Sequence, residues 1–447
     1  MASAWKLSDA RLGKAVIQNR ASYSIAGYYE GLRIMKIRVL GAGRDIGKSC
    51  IEVEADGTRV IMDAGMKINP EPPSYAPLPD SAPDGVVISH AHLDHSGALP
   101  QLYHKWSPPA FMTQLTKELS QLLIKDSMKI ANAEGYNVPY DEHEFHTAMK
   151  RTIVKKYGEP FRIKNLSCSL YDAGHIPGSS SVLLSGSKRI LYTGDIQDEE
   201  TTLLRGARLP KKADTLIIES TYAGKSRAPR KKEERRLIEA VEECIANNTP
   251  ALMPVFAIGR AQEVLMLLEK YAKYIAIDGM VKDATRIVTS HPGSIKDAGT
   301  LREAANKAFW VKTAKQRQNI MEKRPLIISS AGMLGGGPAV SYLRSIAQKK
   351  EARVLFTGYL VDESAGWGVM NEKMYDHEGE KFPIKCRIDQ FELSGHATHE
   401  GLHRIIKSVK PEHIVCVHGD STEAFAKELC EMGYDAHAPR PGEEVRF

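Results

Sequence analysis

Residues 86–100 read VVISHAHLDHSGALP, an apolar run that passes directly into His90, His92, Asp94 and His95. Imidazoles and carboxylates together are the ligand set of zinc and similar divalent ions, and residues two apart on an extended segment point to one side. His90 and His92 are therefore expected to serve one ion, and Asp94 and His95, farther round the turn, a second. Neither packing nor solubility calls for such a cluster, so metal binding is the reading that explains it. The placement also decides the fold class. An apolar strand ending in reactive groups is how an α/β protein displays a site, on loops held by a rigid sheet.

Two ions need further ligands and a bridge. His175 in YDAGHIPGSSS (171–181) and Asp195 in LYTGDIQ (191–197) are the natural candidates, with Asp195 as the shared carboxylate. His418 in HIVCVHGD (413–420) completes the second set. Taken alone, His418 reads as a polar residue near a turn, and Asp63 in IMDAG (61–65) as a turn aspartate. Because Asp63 follows a strand just upstream of the cluster, it is expected to orient the ligands from outside.

The rest of the chain agrees with this class. MKIRVLG (35–41), SCIEVEAD (49–56) and TRVIMDAG (58–65) read as short strands, RILYTGD (189–195) and DTLIIES (214–220) as strands with polar ends. Helices are expected over 97–106 and 115–133. The charge-dense run AGKSRAPRKKEERR (223–236) reads as a linker entering a helix. After it, strands and helices alternate, which indicates a second α/β unit with a parallel sheet. At 447 residues, 42% apolar and 26% charged, the chain has room for two or three packed domains. A net charge of +6 suits a polyanionic partner. The six cysteines form no C-x-x-C pair, so reduced thiols and a cytoplasmic location are expected. No apolar run is long enough to span a bilayer, so no membrane partner is expected. Residues 1–34 are broken up by Lys6, Arg11, Lys14 and Arg20 and do not read as a signal peptide.

The residues carry a resemblance. SHAHLDHSGALP together with MDAG, AGHIPGSSS and YTGD resembles the metallo-β-lactamase superfamily, whose fold is an αββα sandwich with a two-zinc site. IIESTY with Glu219, SGHAT with His396 and CVHGD with His418 resemble its nucleic-acid-cleaving β-CASP branch. The resemblance runs from about residue 36 to 447. It implies a sandwich domain made of 36–222 and a returning 385–447, an inserted β-CASP domain over 223–384, and an extension over 1–35. It further implies two Zn2+ as cofactors, with Mn2+ suited to the same nitrogen and oxygen set, single-stranded RNA as partner, and a homodimer. DNA-cleaving relatives have valine where His418 stands, so this histidine favours RNA. In the family's arrangement Glu219 holds His396, which makes His396 the candidate general acid for the leaving oxygen, with Asp63 in support.

Two subfamilies compete within the branch. GAGRDIGKSCIEVE, PVFAIGRAQEVL and SSAGMLGGG resemble the cleavage and polyadenylation specificity factor nucleases and their archaeal relatives, and point to an endoribonuclease of the 3′-end-processing type. ELSGHATHEGL resembles ribonuclease J, and its motif implies a terminal-phosphate pocket from Ser330, Gly332, Ser394 and His396. A closed pocket of that kind measures off single residues, so the expectation is a 5′ to 3′ exoribonuclease preferring a 5′-monophosphate. The glycine-rich SSAGMLGGG (329–337) also follows an apolar strand and precedes a helix, where backbone N–H groups cradle an oxyanion. Arg260, which opens the helix in AIGRAQEV, is expected to face the RNA backbone. Two rival classes are a small-substrate hydrolase and a catalytically silent RNA scaffold. The first lacks the Glu219 and His396 motifs, and the second loses ligands that are all filled here.

Overall fold

The computed structural model describes residues 35–362 and 364–447. The extension expected at 1–35 lies outside these except for Met35, whose N–H and C=O both bond Phe447 at 3.0 Å and so belong to the first sheet.

Two seven-stranded sheets face each other. In the first, Glu444–Arg446, Lys36–Gly41, Cys50–Ala55, Thr58–Met62, Gly85–Val87, Ala110–Met112 and Thr152–Val154 lie side by side. The second runs Asp435–His437, His413–Val417, Thr215–Glu219, Arg189–Tyr192, Ser180–Ser185, Leu166–Asp172 and Phe161–Ile163. Alternate residues of these strands point inward and pack a common core, among them Ile37, Val53, Val60 and Met62 from one sheet and Leu170, Val182, Ile190 and Val415 from the other. The outer faces are covered by helices. Ile61, Val86 and Ile88 meet Ile124 and Phe145 on one side, and Leu216, Ile218 and Ile414 meet Leu402, Ile405 and Leu429 on the other.

A third sheet of six strands, all parallel, carries the expected second α/β unit: Phe309–Trp310, Ile275–Asp278, Leu326–Ser329, Ala251–Pro254, Arg353–Phe356 and Arg387–Gln390. Helices bury both its faces, so its strands other than Arg387–Gln390 at the edge read largely as apolar runs. Its last strand pairs Arg353 with Arg387 and Phe356 with Gln390. The chain therefore leaves this sheet after Gln390, a few residues past the expected 385.

Local chemistry sets the element ends. Thr113 caps the helix Gln114–Glu134 by accepting from the Thr116 N–H, and Gly135 ends it in the left-handed conformation. The helix expected over 97–106 is instead a single turn, Leu93–Ser96, followed by a 3-10 segment, Leu99–His104, with Pro100 in its first turn. Proline fixes its own φ and has no N–H to donate, which separates the two.

Register places the functional loops. Thr58–Met62 and Gly85–Val87 run parallel with Met62 opposite Val87, so Asp63 and Ser89 leave the first sheet at the same edge. In the second sheet Tyr192 lies opposite Ile217 and Glu219 opposite Val417, which brings Asp195, Glu219 and His418 to one edge.

Candidate functional site

The histidines and aspartates singled out in the sequence converge at that edge. His90, His92, His175 and Asp195 offer ligand atoms that lie within 4.8 Å of one another, as do Asp94, His95, Asp195 and His418, and Asp195 belongs to both sets. His92 Nδ1 is 3.2 Å from both His90 Nε2 and His175 Nε2, which are each 3.7 Å from Asp195 Oδ2. In the second set His95 Nε2 lies 3.2 Å from Asp195 Oδ1, and His418 Nε2 lies 3.3 Å from Asp94 Oδ2. Ligands on a tetrahedral ion with bonds of about 2.0–2.1 Å are separated by about 3.3 Å.

Hydrogen bonds on the far side of the His90, His95 and His175 rings turn a bare nitrogen inward, while His92 Nε2 is buried without a partner among the described residues. Asp63, wholly buried, accepts from the Ser89 N–H at 2.6 Å, the Ser89 hydroxyl at 2.7 Å and the Tyr192 hydroxyl at 2.7 Å, and pairs with His95 Nδ1 at 2.7 Å. His95 is thereby left with Nε2 toward the site. Because the Ser89 hydroxyl proton goes to Asp63, its oxygen accepts from His90 Nδ1 at 3.1 Å, which bares His90 Nε2. His175 Nδ1 donates to the Gly395 carbonyl at 2.9 Å, and His418 Nδ1 meets the Thr221 hydroxyl at 3.2 Å. A Cβ at position 395 would come within 3.1 Å of His175 Nδ1, so glycine permits this approach. Asp63 and His418 both take φ values in the left-handed region, +61° and +52°, a strain that the surrounding bonds hold in place.

The charges fit a cation. Burial holds the His90 and His175 imidazoles well below their ordinary range and so neutral, the form that binds metal. Burial opposes ionisation of Asp195, but His418, His95 and His396 outweigh it and hold its carboxyl well below the carboxylate range. Asp195 Oδ1 is buried and has no hydrogen-bond partner among the described residues. An orphaned carboxylate oxygen beside converging imidazole lone pairs is what a divalent ion satisfies. Asp63→Ala should weaken metal retention by about 10–100-fold while leaving every ligand in place, because Ser89, Tyr192 and His95 lose their shared acceptor. Metal competition with a colorimetric chelator checks this.

Beside Asp195 stands a third group. His396 Nδ1 pairs with Glu219 Oε1 at 2.8 Å, and its Nε2 faces the site 4.0 Å from Asp195 Oδ2. Glu219 is fixed in turn by the backbone N–H groups of Ile196 at 3.1 Å and Thr221 at 3.0 Å. Burial disfavours charge on His396, yet the Glu219 and Asp195 carboxylates overcome it and raise the imidazole above its ordinary range. Its side chain remains 19% exposed, enough to meet a substrate atom.

The residues expected to contact phosphate come from two separate parts of the chain. Ser394 accepts the His396 N–H at 3.2 Å, while Ser330 accepts the Met280 N–H at 3.1 Å on the third sheet, and among the described residues no hydrogen bond joins the two. Gly332 packs against the backbone of Val255 and Phe256, where a Cβ would come within 2.9 Å. Arg260 is not a free cation in a groove. Its side chain is 9% exposed and its guanidinium is taken up by Glu263 at 2.5 Å. Burial draws it down to about 10. Arg227, in the charge-dense run, carries no sequence signal of a role here, yet the fold turns it toward the site. It donates to the His396 carbonyl at 3.2 Å, lies over the Tyr222 ring at 4.9 Å, and leaves one buried guanidinium nitrogen without a partner. Phe256, likewise without a sequence signal, is 45% exposed with its ring centroid 6.3 Å from that of His92.

Comparison with known proteins decides the family. Over 92% of its length the chain is 36% identical to the whole of "Probable RNase MJ4" from Methanocaldococcus jannaschii. This chain belongs to the β-CASP branch of the metallo-β-lactamase superfamily. Residues 261–368 match the Beta-Casp domain, residues 381–439 the "Zn-dependent metallo-hydrolase RNA specificity domain", and residues 35–220 the model "Anti-Pycsar protein Apyc1". Other β-CASP relatives are "RNase aCSPSF2" of Saccharolobus solfataricus, 32% identical over 96% of this chain and 89% of its own, and the "RNase J-like protein" of M. jannaschii, 33% identical over 86% and 93%. "Transcription termination factor FttA" of Pyrococcus abyssi is 34% identical over 93% of this chain and 72% of its own. A solved structure of a protein of unknown function from Enterococcus faecalis shares the fold with a TM-score of 0.60 at 15% identity, over 93% of this chain and 100% of that one. The two facing sheets with helices outside are thus the β-CASP family's αββα sandwich, and the six-stranded parallel sheet is its β-CASP unit. The chain is a metal-dependent, RNA-binding nuclease of the hydrolase class. No helix among the described residues is long and apolar enough to cross a membrane.

Proposed function

We propose that this chain holds two zinc ions, one on His90, His92, His175 and Asp195 and one on Asp94, His95, Asp195 and His418, and degrades single-stranded RNA from a 5′-monophosphate end. The observation that carries the reading is the convergence of both ligand sets on Asp195, with the Glu219-held His396 on its open side. When bound, the ions lower the pKa of water toward neutrality and offset charge on the phosphate oxygens. The protein's own part is to orient and to move one proton. Glu219 keeps His396 charged and fixes its Nδ1, so Nε2–H donates to the departing oxygen as the phosphodiester bond breaks. Asp63 and the Gly395 carbonyl hold His95 and His175 in the inward-facing tautomer.

The 5′ preference rests on the SGHAT motif and on its surroundings. Ser394 and His396 sit beside Arg227, whose unpaired guanidinium nitrogen suits a terminal phosphate. Ser330 and Gly332 would close this pocket from the third sheet. Phe256, exposed at the mouth, is placed to stack a base. Phe256→Ala should weaken binding of single-stranded RNA by about 5- to 150-fold, the equivalent of about 1–3 kcal/mol of stacking, with metal content unchanged. Fluorescence anisotropy of a labelled oligonucleotide measures it.

The inserted domain is taken to run from about 223 to Gln390, with the sandwich formed by the segments on either side. Buried free thiols at Cys50, Cys168, Cys244, Cys386 and Cys416 suit a reducing cytoplasm. The homodimer implied by the resemblance is checked by light scattering. The deciding experiment for direction uses one RNA labelled in turn at each end. With a 5′-monophosphate, the 5′ label should appear at once as mononucleotide, and a triphosphate or hydroxyl end should slow the reaction. Early mid-length fragments, indifferent to the 5′ group, would replace this reading by an endoribonuclease.

A further inference from the structure

Away from the Asp195 centre, a second group of ligand-type side chains gathers between the two halves of the molecule. Glu71 lies on the loop that follows the short strand Met66–Lys67 of the sandwich half. His377 and Glu378 lie at the turn between Met374–His377 and Glu380–Pro383, a hairpin whose Tyr375 is anchored in the core over the parallel sheet. Ligand atoms of Glu71, His377 and Glu378 all fall within 4.8 Å of one another. His377 Nε2 is buried and has no hydrogen-bond partner among the described residues. Its neighbour Glu378 Oε1 is 3.8 Å away, too far for a hydrogen bond but suited to two ligands of one ion. The Tyr136 hydroxyl donates to Glu71 Oε2 at 2.9 Å, which fixes that carboxylate from the side, as outer partners fix metal ligands. Two carboxylates brought together from opposite halves repel unless positive charge lies between them.

We propose that Glu71, His377 and Glu378 form a further divalent-cation site that ties the sandwich loop to the hairpin of the β-CASP unit. One imidazole nitrogen and two carboxylates suit a borderline first-row ion such as manganese or zinc, whereas calcium and magnesium favour all-oxygen shells. Three protein ligands leave the remaining positions to water. The ligands are more exposed than those at Asp195, so this ion binds more weakly and exchanges first. Its role is positional: it sets how closely the two halves approach.

The test counts manganese. Chelator-stripped full-length protein is equilibrated with excess Mn2+ and analysed by mass spectrometry for metal per chain, alongside a Glu71→Gln, His377→Ala double variant and a Glu378→Gln variant. The parent should hold about one equivalent more than the double variant. Mn2+ should also raise the parent's melting temperature further than that of either variant, with all three melting alike in chelator. The same comparison in an Asp94→Ala, His95→Ala background separates the two sites. If the Asp195 centre is wrongly assigned, the absolute counts fail while the difference of about one equivalent persists. If parent and variants bind equal manganese and shift equally, no ion binds at Glu71, His377 and Glu378.

Discussion

His396→Ala should lose RNA cleavage by about 100-fold or more, as expected when a positioned acid is removed, and should keep its metals and its affinity for RNA. The geometry separates the roles. His396 presents Nε2 at 4.0 Å from Asp195, on the open side of the centre, and its Nδ1 is committed to Glu219 at 2.8 Å. The two ligand sets are complete without it. Cleavage under single-turnover conditions, with metal content measured on the same sample, checks the prediction. A variant that loses metal would move His396 to the ligands. Glu219→Gln should fall in the same direction but less far, since an amide still accepts from His396 Nδ1 yet no longer favours the imidazolium.

Asp195→Ala should have a larger effect still, abolishing measurable cleavage and lowering metal retention by more than the roughly 10–100-fold expected for an outer partner. Its Oδ2 faces His90 and His175, and its Oδ1 faces His95 and His418, at 3.2–3.7 Å, so one substitution removes a ligand from both sets. The Asp94→Ala, His95→Ala double variant instead empties one set and should keep about one ion. Elemental analysis of chelator-free protein distinguishes the two. Equal metal in parent and Asp195→Ala protein would remove Asp195 as the bridge.

The centre was largely legible because its residues sit at strand ends whose register the apolar runs announce. Met62 opposite Val87 and Glu219 opposite Val417 then bring them together. Asp63 is recognisable from its position, but its partners Ser89 and Tyr192, and the Gly395 carbonyl that accepts from His175, are not, since serine, tyrosine and backbone oxygen carry no pattern until they are folded. A helix-opening arginine such as Arg260 looks the same in sequence whether it is solvated or buried against an acid three residues on. Arg227 was hidden in a charge run, and only the fold shows that it turns toward His396 while its neighbour Arg230 pairs with Glu263. Strand Arg387–Gln390, with its polar ends, did not read as the edge of an otherwise apolar parallel sheet.

Metal titration puts a two-ion centre that cleaves RNA to the test. Chelator-stripped protein is given zinc in measured equivalents, and cleavage of a 5′-labelled monophosphorylated RNA is followed at each point. The stripped protein should be inactive, with activity rising steeply between about one and two equivalents per chain and levelling near two. Cleavage that persists in the stripped protein, or that is complete before a second equivalent is bound, would contradict it.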